Sequence, residues 1–188
     1  VKKITSIGNL KYIEHDSFET NQADKKLFSQ FRKYKTFVAA STHNTEELFA
    51  AKTHILLKKK IKNIITIIIP RHINRIDQII SQINELGLNA ISRRSNKKKL
   101  DNIDIYLVDT FGESKKFYKF ATTVFLGGSI IKRGGQNPLE PARFGAKILH
   151  GPNIDNFRDV YRYLNQLKIS SSINSPQQCA NSIIFKKN

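Results

Sequence analysis

The chain contains one cysteine, Cys179, and neither methionine nor tryptophan among its 188 residues. A single cysteine with no CxxC partner excludes a disulfide framework and a cysteine-based zinc site, and it is compatible with a reducing cytosol. We expect Cys179 to be an ordinary, half-buried thiol. Because the chain also begins without a methionine, we expect it to be a piece of a longer protein.

Long apolar runs are missing as well. The longest ones, such as Ile67-Ile68-Ile69, are far shorter than the roughly 20 residues needed to cross a bilayer, and no charged-then-apolar leader opens the chain. Since 39% of the residues are apolar, enough for a core, we expect one soluble globular domain.

Acidic residues are scarce, since 15 Asp and Glu stand against 32 Lys and Arg and leave a net charge of +17. A field of that sign attracts phosphates, nucleic acid or the anionic cytoplasmic leaflet of a membrane. Lysine outnumbers arginine, and isoleucine and asparagine are abundant, so the codon usage of an A/T-rich genome also accounts for the charge. The basic residues do not alternate with aromatic ones and form no known reading module, so no specific nucleic-acid partner is expected.

From Thr36 onward, short β-branched or apolar runs alternate with amphipathic stretches, which is typical of successive βα units around a parallel sheet. Crossovers between parallel strands are right-handed, so the pattern predicts an α/β, Rossmann-like, doubly wound parallel sheet. The predicted strands are Thr36–Ser41, Asn63–Ile69, Asn89–Ser92, Ile103–Val108, Thr123–Leu126 and Lys147–Leu149.

Helical patterns lie between these strands. Apolar residues from Ile73 to Leu86 recur at three- and four-residue steps and stop at Gly87, which predicts a buried helical face with a glycine C-cap. Another helix is predicted to begin at Asn44, whose side chain would cap it while Glu47 closes a capping box. Further helices are predicted within Ala23–Tyr34 and Phe157–Leu167.

Residues 1–20 fit no βα unit. We expect them to be a linker that enters from a missing N-terminal domain, ahead of a domain at 21–188.

Nearly all the unusual polar side chains follow the predicted strands at their carboxyl ends. Ligands of open parallel sheets bind at this edge, because helix N-termini there point unpaired N–H groups at a common crevice. The segments are Ser41-Thr42-His43, Pro70-Arg71-His72, Asp109-Thr110-Phe111-Gly112-Glu113, Gly127-Gly128-Ser129 and Gly134-Gly135-Gln136-Asn137.

The stretch 127–140 is the most informative, because its paired glycines let the backbone come close to a bulky anion. Pro138 after Asn137 is typical of a helix start, and we expect that helix to aim its positive end at a phosphate. A capping box of Asn137 and Glu140 is the other interpretation. The spacing matches neither GxGxxG nor the P-loop, so neither NAD chemistry nor ATP hydrolysis is indicated.

Arg71 follows an all-apolar strand and carries a rigid fork of donors suited to a phosphate. His72 and His43 are loop histidines, and without HExxH spacing or cysteines they indicate no metal site. Glu113 lies at a predicted helix N-terminus, where it would either accept hydrogen bonds from ribose hydroxyls or complement the helix dipole, and the residues alone leave that choice open.

Taken in this order, the motifs resemble the C-terminal domain of the Kdo transferases, which move 3-deoxy-D-manno-octulosonate (Kdo) from CMP-Kdo to lipid A precursors. Seven pieces carry the resemblance from Gly8 to about Val160. They are Gly8-Asn9-Leu10-Lys11, the strand-end segments given above with 134–137 extended to Glu140, and Gly151-Pro152 with Asn156-Phe157.

The resemblance implies a GT-B architecture, in which two Rossmann-like domains face each other across a cleft and the C-terminal one holds the nucleotide. It implies CMP contacts at Pro70, Arg71, Phe111, Gly112, Glu113, Asn137, Pro138, Leu139 and Glu140. Contacts to the donor sugar or its phosphate are expected at Ser41, Thr42, His43, His72, Ser129, Gly135 and Gln136. Gln136 departs from the family, which usually has His there, and Ser114 replaces the usual Leu.

The transfer implied is an inverting one, which needs a base for the acceptor hydroxyl and positive charge for the departing CMP phosphate. The family's base is a glutamate of the N-terminal domain, so this chain is expected to hold no catalytic base and to be inactive alone. Neither a metal nor another cofactor is expected, because Arg71 and helix N-termini can supply the positive charge.

The partners implied are the CMP-Kdo donor, a lipid A precursor held by the missing domain, and the anionic surface of the bacterial inner membrane. The place of action implied is the cytoplasmic face of that membrane. Two other functions stay open. A GT-B transferase of UDP-sugars, or a sugar-nucleotide epimerase, shares the glycine-rich turn and a ribose-binding glutamate. A basic module that binds nucleic acid or a membrane surface is favoured only by the net charge.

Overall fold

A computed structural model describes residues 22–95 and 99–185 of the chain. The linker expected at residues 1–20 lies outside the described residues, all of which fall within the domain predicted at 21–188.

Seven strands form one sheet in which every neighbouring pair is parallel. They are β1 (Lys35–Thr42), β2 (Ile64–Pro70), β3 (Ala90–Ser92), β4 (Ile105–Leu107), β5 (Ala121–Leu126), β6 (Lys147–His150) and β7 (Ser170–Ser172). The first six are the predicted strands, with ends that differ by one or two residues. The sequence did not predict β7, whose three serines show no apolar alternation.

The helices within the described residues are α1 (Gln22–Phe31), α2 (Glu46–Lys58), α3 (Ile76–Glu85), α4 (Ser114–Tyr118), α5 (Leu139–Ala142), α6 (Arg158–Gln166) and α7 (Pro176–Ser182). Single 3-10 turns at Ile73–Arg75 and Asp155–Phe157 lead into α3 and α6. Gly87 follows α3 with a φ of 75°, a left-handed conformation that glycine adopts without strain, so the predicted glycine C-cap is confirmed.

Helices cover both faces of the sheet. On one face α1, α4 and α6 contribute Phe31, Phe117 and Tyr161 to a buried cluster. On the other, α2, α3 and α7 contribute Phe49, Ile79 and Cys179. All residues of β2 are buried, as expected for a central strand covered on both faces, and burying each of its isoleucines contributes roughly 1.5–3 kcal/mol. The doubly wound architecture predicted from the sequence is confirmed.

The spatial order of the strands, β3-β4-β2-β1-β5-β6-β7, reverses between β1 and β5. The chain leaves β1 toward β2 on one side, and returns after β4 to β5 on the other. The carboxyl ends of these two strands therefore form the topological switch point, where open α/β sheets hold their ligands.

The capping box predicted for Asn44 and Glu47 is wrong. Helix α2 begins at Glu46 after Thr45, which has a left-handed φ of 77° and makes no side-chain cap hydrogen bond. Both predicted partners instead contact Arg75, whose Nη2 lies 2.9 Å from Asn44 Oδ1 and whose Nη1 lies 3.3 Å from Glu47 Oε1. The hydrogen bonds with the Arg75 guanidinium, from the next βα unit, are therefore formed in place of the local capping bonds.

Cys179 is not half-buried as expected. Its side chain is 0% exposed inside the cluster formed by α2, α3 and α7, and burial raises the pKa of its thiol to about 12. Within the described ranges, no helix has both the length and the apolar character needed to cross a membrane.

Candidate functional site

The predicted site segments follow adjacent strands of the sheet. Along its carboxyl edge the order is 109–113 after β4, 70–72 after β2, 41–43 after β1 and 127–129 after β5. Neighbouring strands lie about 4.8 Å apart, so these segments form one continuous rim about three strand spacings wide. The switch point lies inside this rim, between 41–43 and 127–129.

The rim is strained at the end of β1. Ser41 has a φ of 53°, and the register of β1 against β2 shifts between Ala40 and Thr42. Left-handed backbone at a residue other than glycine is uncommon, costs on the order of 1–3 kcal/mol and concentrates at functional sites. The strain turns Thr42 inward, where its carbonyl accepts the N–H of Arg71 at 2.8 Å and ties the ends of β1 and β2 together.

His43 and His72 meet above this junction, with ring centroids 5.4 Å apart and an edge-to-face orientation. Burial lowers the pKa of His43, which therefore favours the neutral imidazole. Two buried atoms, Thr42 Oγ1 and His43 Nε2, have no hydrogen-bond partner among the described residues. Buried polar atoms without a partner are rare in native proteins, so this spot is one where a polar ligand group can be accommodated.

Glu46, the first residue of α2, fills the switch point. Its Oε2 accepts the backbone N–H of Gly128 at 2.7 Å, and its Oε1 accepts those of Ser129 at 3.1 Å and Ile130 at 3.0 Å. The N–H of His43 adds a fourth bond, to Oε2, at 3.0 Å. Sequence reasoning missed this residue, because its loop partners lie more than eighty positions further along the chain.

The paired glycines make room for the chain's own atoms. A Cβ at Gly127 would lie 2.4 Å from the Ser41 carbonyl oxygen and 2.8 Å from Glu46 Oε2. At Gly134, which has a φ of 78°, a Cβ would lie 2.5 Å from the side chain of Asn156. These glycines therefore allow close packing within the rim, and the expected approach of their backbone to an anion stays a prediction.

Ser129, one of the residues expected to contact the donor sugar or its phosphate, is buried, and its hydroxyl already makes hydrogen bonds within the chain. Its Oγ donates to the Leu126 carbonyl and accepts the N–H of Gly151 at 2.8 Å. Gly135 donates its N–H to the Gly128 carbonyl at 2.9 Å, which joins the two glycine pairs. Both residues therefore stabilise the loop, and their contact with a ligand stays a prediction.

Gln136 lies beside the switch point. Its Nε2 and the ring of His43 flank the same position, since a Cβ added to Gly128 would lie 3.3 Å from the first and 3.5 Å from the second. The Gln136 carbonyl accepts the hydroxyl of Tyr161 at 3.1 Å, which fixes the backbone. The amide thus takes the place expected for the family's imidazole and offers a neutral donor there.

The helix expected after Asn137 exists but is short. Helix α5 spans only Leu139–Ala142, with Pro138 before it, and Asn137 Oδ1 already accepts the N–H of Leu139 at 3.1 Å. A single turn has few free N–H groups, so its positive end is weaker than the sequence predicted. Glu140 accepts a hydrogen bond from Tyr118 at 3.4 Å, which links α5 to α4.

Arg71 and Phe111 are exposed members of the rim, as are His72 and Gly112. Arg71 directly follows the buried Pro70 at the end of β2. Phe111 is 77% exposed in a turn closed by Gly112, which has a φ of 73°. An exposed ring and an exposed guanidinium on neighbouring strand ends can stack on a base and bind a phosphate, respectively.

Glu113 lies at the centre of an ion-pair cluster. Its Oε1 accepts from Arg93 Nη2 at 2.8 Å and from Lys116 Nζ at 2.9 Å, and its Oε2 accepts from Arg93 Nε and Thr110 Oγ1. Burial alone would raise its pKa, but these donors outweigh burial and hold the pKa at about 2. A carboxylate has about four lone-pair sites, so a ribose hydroxyl can bind Glu113 only by displacing one of the present donors.

Asp24 of α1 completes this cluster by pairing with Arg93 and Lys116. Sequence reasoning missed Asp24 and Arg93, which are 69 positions apart, although Arg93 directly follows β3 and the strand-end rule could have found it. Within residues 22–95 and 99–185, no group of three or more His, Cys, Asp or Glu side chains is arranged to hold a metal ion.

No family model matches the chain, but individual proteins do. It is 30% identical to a 3-deoxy-D-manno-octulosonic acid transferase of Haemophilus influenzae, over 93% of the chain and 41% of that protein. It is 31% identical to the enzyme of the same name from Rickettsia bellii, over 98% of the chain and 44% of that protein. The chain thus spans about two fifths of the length of these curated relatives.

Among solved structures, the C-terminal CMP-Kdo binding domain of WaaA from Acinetobacter baumannii has the same fold, with a TM-score of 0.74. The match covers 85% of the chain and 84% of that domain at 24% identity. It confirms the predicted fold, a Rossmann-like, doubly wound parallel sheet. Over nearly its whole length the chain is similar to curated proteins named 3-deoxy-D-manno-octulosonic acid transferase, and it corresponds to about two fifths of each of them.

Proposed function

We propose that this chain supplies the CMP-Kdo site of a transferase that moves Kdo to a lipid A precursor. The observation that carries the proposal is the rim itself, where segments expected to bind CMP-Kdo follow four adjacent strands along the carboxyl edge that contains the switch point. The relatives named Kdo transferase, and the structural neighbour described as a CMP-Kdo binding domain, support the same donor.

The rim suits a nucleoside monophosphate ester lying along it. Phe111 offers an apolar ring to the base, and Glu113 in the same turn offers a carboxylate to the ribose after Thr110 or Lys116 gives way. Arg71, one strand closer to the switch point, would bind the phosphate, with Gln136 as a neutral donor nearby. The remaining expected contacts, at Asn137–Glu140, would close the site from the α5 side.

Two carboxylates beside the switch point and in the rim have their lone-pair sites in use. Glu46 accepts four backbone N–H groups, and Glu113 accepts four side-chain donor atoms. A general base needs a free lone pair aimed at the acceptor hydroxyl. We therefore propose that the base of the inverting transfer, and most acceptor contacts, belong to the part of the relatives that this chain does not span.

We also propose that the enzyme acts at the cytoplasmic face of the inner membrane, with the net charge of +17 as a diffuse attraction to anionic lipid. Each well-placed Lys or Arg contributes about 1 kcal/mol, and salt screens it. Neither metal nor cofactor is included in this proposal, because Arg71 provides positive charge for the leaving phosphate.

Competition between nucleotides tests the function directly. Calorimetric titration of the chain with CMP, UMP, UDP and ADP should show CMP as the tightest ligand. A preference for UDP would replace the Kdo transferase proposal with a UDP-sugar enzyme. Tight RNA binding with a steep dependence on salt, and no effect of CMP, would favour a basic nucleic-acid module instead.

A further inference from the structure

A cluster of backbone N–H groups at the switch point is already filled by a side chain of the chain itself. The consecutive N–H groups of Gly128, Ser129 and Ile130 converge on one point under the loop after β5, and the N–H of His43 reaches it from the loop after β1. Converging backbone N–H groups at a switch point form the concavity that open α/β sheets offer to phosphates. The carboxylate of Glu46, which is 0% exposed, occupies that concavity.

None of the salt bridges among the described residues includes Glu46, whereas the next residue, Glu47, pairs with Arg75. The hydrogen bonds described for the Glu46 carboxylate all come from backbone N–H groups. A fixed negative charge is therefore built into the floor of the site, at the point where other nucleotide-binding sheets present positive dipoles.

Other anion donors lie around this floor. Arg71 is exposed on the neighbouring strand end, the Gln136 amide lies beside Gly128, and exposed Arg133 lies next to the same glycine. These groups suit a phosphate at the rim. A second phosphate that reached the floor would meet the Glu46 carboxylate, because Glu46 already accepts the N–H groups of Gly128, Ser129 and Ile130.

We propose that Glu46 restricts the donor site to nucleotides that carry one phosphate, such as a CMP-sugar, and rejects nucleoside diphosphates by charge repulsion and by occupying their N–H groups. This inference rests on the proposed function for the identity of the ligand and adds a residue that selects it. At an effective dielectric constant of about 20, like charges a few ångströms apart repel by more than one decade of affinity.

Paired titrations with CMP and CDP test the selection. Wild type should prefer CMP, and Glu46→Ala and Glu46→Gln should raise the affinity for CDP relative to CMP by about tenfold or more. Glu47→Gln, a change at the adjacent buried carboxylate that contacts Arg75 and not the loop, should leave the ratio as in wild type. An unchanged ratio in folded Glu46 variants that still bind CMP would overturn the proposal.

A second measurement needs no nucleotide. If the concavity is an anion site, formate and inorganic phosphate should raise the melting temperature of Glu46→Ala at constant ionic strength, while wild type and Glu47→Gln should show no such rise. Should Glu46→Ala be unfolded in plain buffer, the same titration is followed as recovery of the helical circular dichroism signal.

The two experiments separate the two failures. Absence of any stabilising or refolding effect of these anions would sink the anion-site inference even if CMP binds as proposed. Conversely, wild type that binds no CMP, together with anion rescue of Glu46→Ala, would remove the proposed function and leave the filled concavity standing.

Discussion

Glu46 and Glu113 are two carboxylates on the same edge of the sheet, and they are held by different kinds of donor. Backbone N–H groups hold Glu46, so its partners are fixed by the fold of two loops. Side chains of Arg93, Lys116 and Thr110 hold Glu113, and side chains can rotate away. The comparison teaches that a carboxylate with all its lone pairs in use is a fixed part of the scaffold when its donors are backbone groups. When its donors are side chains, it can exchange one of them for a ligand.

The largest effect should follow from removing the backbone-held carboxylate. Glu46→Gln leaves at least two buried N–H groups facing an amide that cannot accept from them, and each such group costs about 1–3 kcal/mol. We expect the free energy of unfolding to fall by about 3–5 kcal/mol in urea titrations. Glu47→Gln is the control. Equal losses of unfolding free energy in the two variants would show that the N–H groups around Glu46 give it no larger contribution to stability than Glu47 has.

Arg71→Ala should have the next largest effect, and on binding alone. The exposed guanidinium contributes nothing to the core, but loss of a charge-assisted phosphate contact costs about 1.5–3 kcal/mol. Calorimetry should show CMP affinity lower by about 10- to 150-fold with an unchanged melting temperature. Arg71→Lys should recover part of the loss, because a point charge lacks the planar fork. Full CMP affinity in folded Arg71→Ala would place the nucleotide elsewhere.

Phe111→Ala probes the exchangeable side of the comparison, in the turn that carries Glu113. Stacking of a base on an aromatic ring contributes about 1–3 kcal/mol, so CMP affinity should fall about tenfold. Stability should not change, since the ring is 77% exposed. Tyr163→Ala on α6, which removes a 59% exposed ring away from the rim, is the matched control and should leave CMP binding intact.

Acid should weaken the Glu113 cluster by a smaller amount. The pKa of Glu113 is about 2 in the folded chain against 4.5 for the free side chain, and that of Asp24 is also lowered. Depressed carboxyl pKa values stabilise the fold above the unfolded pKa, and this contribution is lost as pH falls from about 4.5 toward 2. Urea midpoints measured over this range should fall less steeply for Glu113→Gln than for wild type. Parallel curves would show that the cluster does not couple to folding.

Much of the fold follows from patterns within one βα unit. The unbroken apolar run of β2 predicts a strand buried on both faces, and the isoleucine spacing of α3 predicts a helix buried along one stripe. The two kinds of burial leave different spacings of apolar residues in the sequence. The edge strand β7 could not be predicted from Ser170–Ser172, since its pairing with β6 is decided by the sheet and not by its own side chains. The start of α2 was misplaced because Arg75, about thirty positions away, claims both expected capping residues.

The candidate site, like the fold, could be predicted from the sequence only in part. The strand-end rule located Arg71, Phe111 and Glu113, because the carboxyl edge of a parallel sheet is fixed by topology. It could not show that Glu113 is saturated or that Glu46 fills the switch point. Both facts depend on partners that are distant in sequence. Local reasoning instead predicted a capping box that used Glu47, the residue after Glu46.

The buried thiol of Cys179 makes its rate of chemical labelling a measure of local opening of the fold. It is the only cysteine, it lies where α7 packs against α2, and its raised pKa leaves almost no thiolate at neutral pH. Thiolate is the reactive species, so a thiol reagent can label the chain only when this layer opens. The rate of labelling therefore reports the opening of the helical layer that carries Glu46, and a ligand that stabilises the closed layer will slow it.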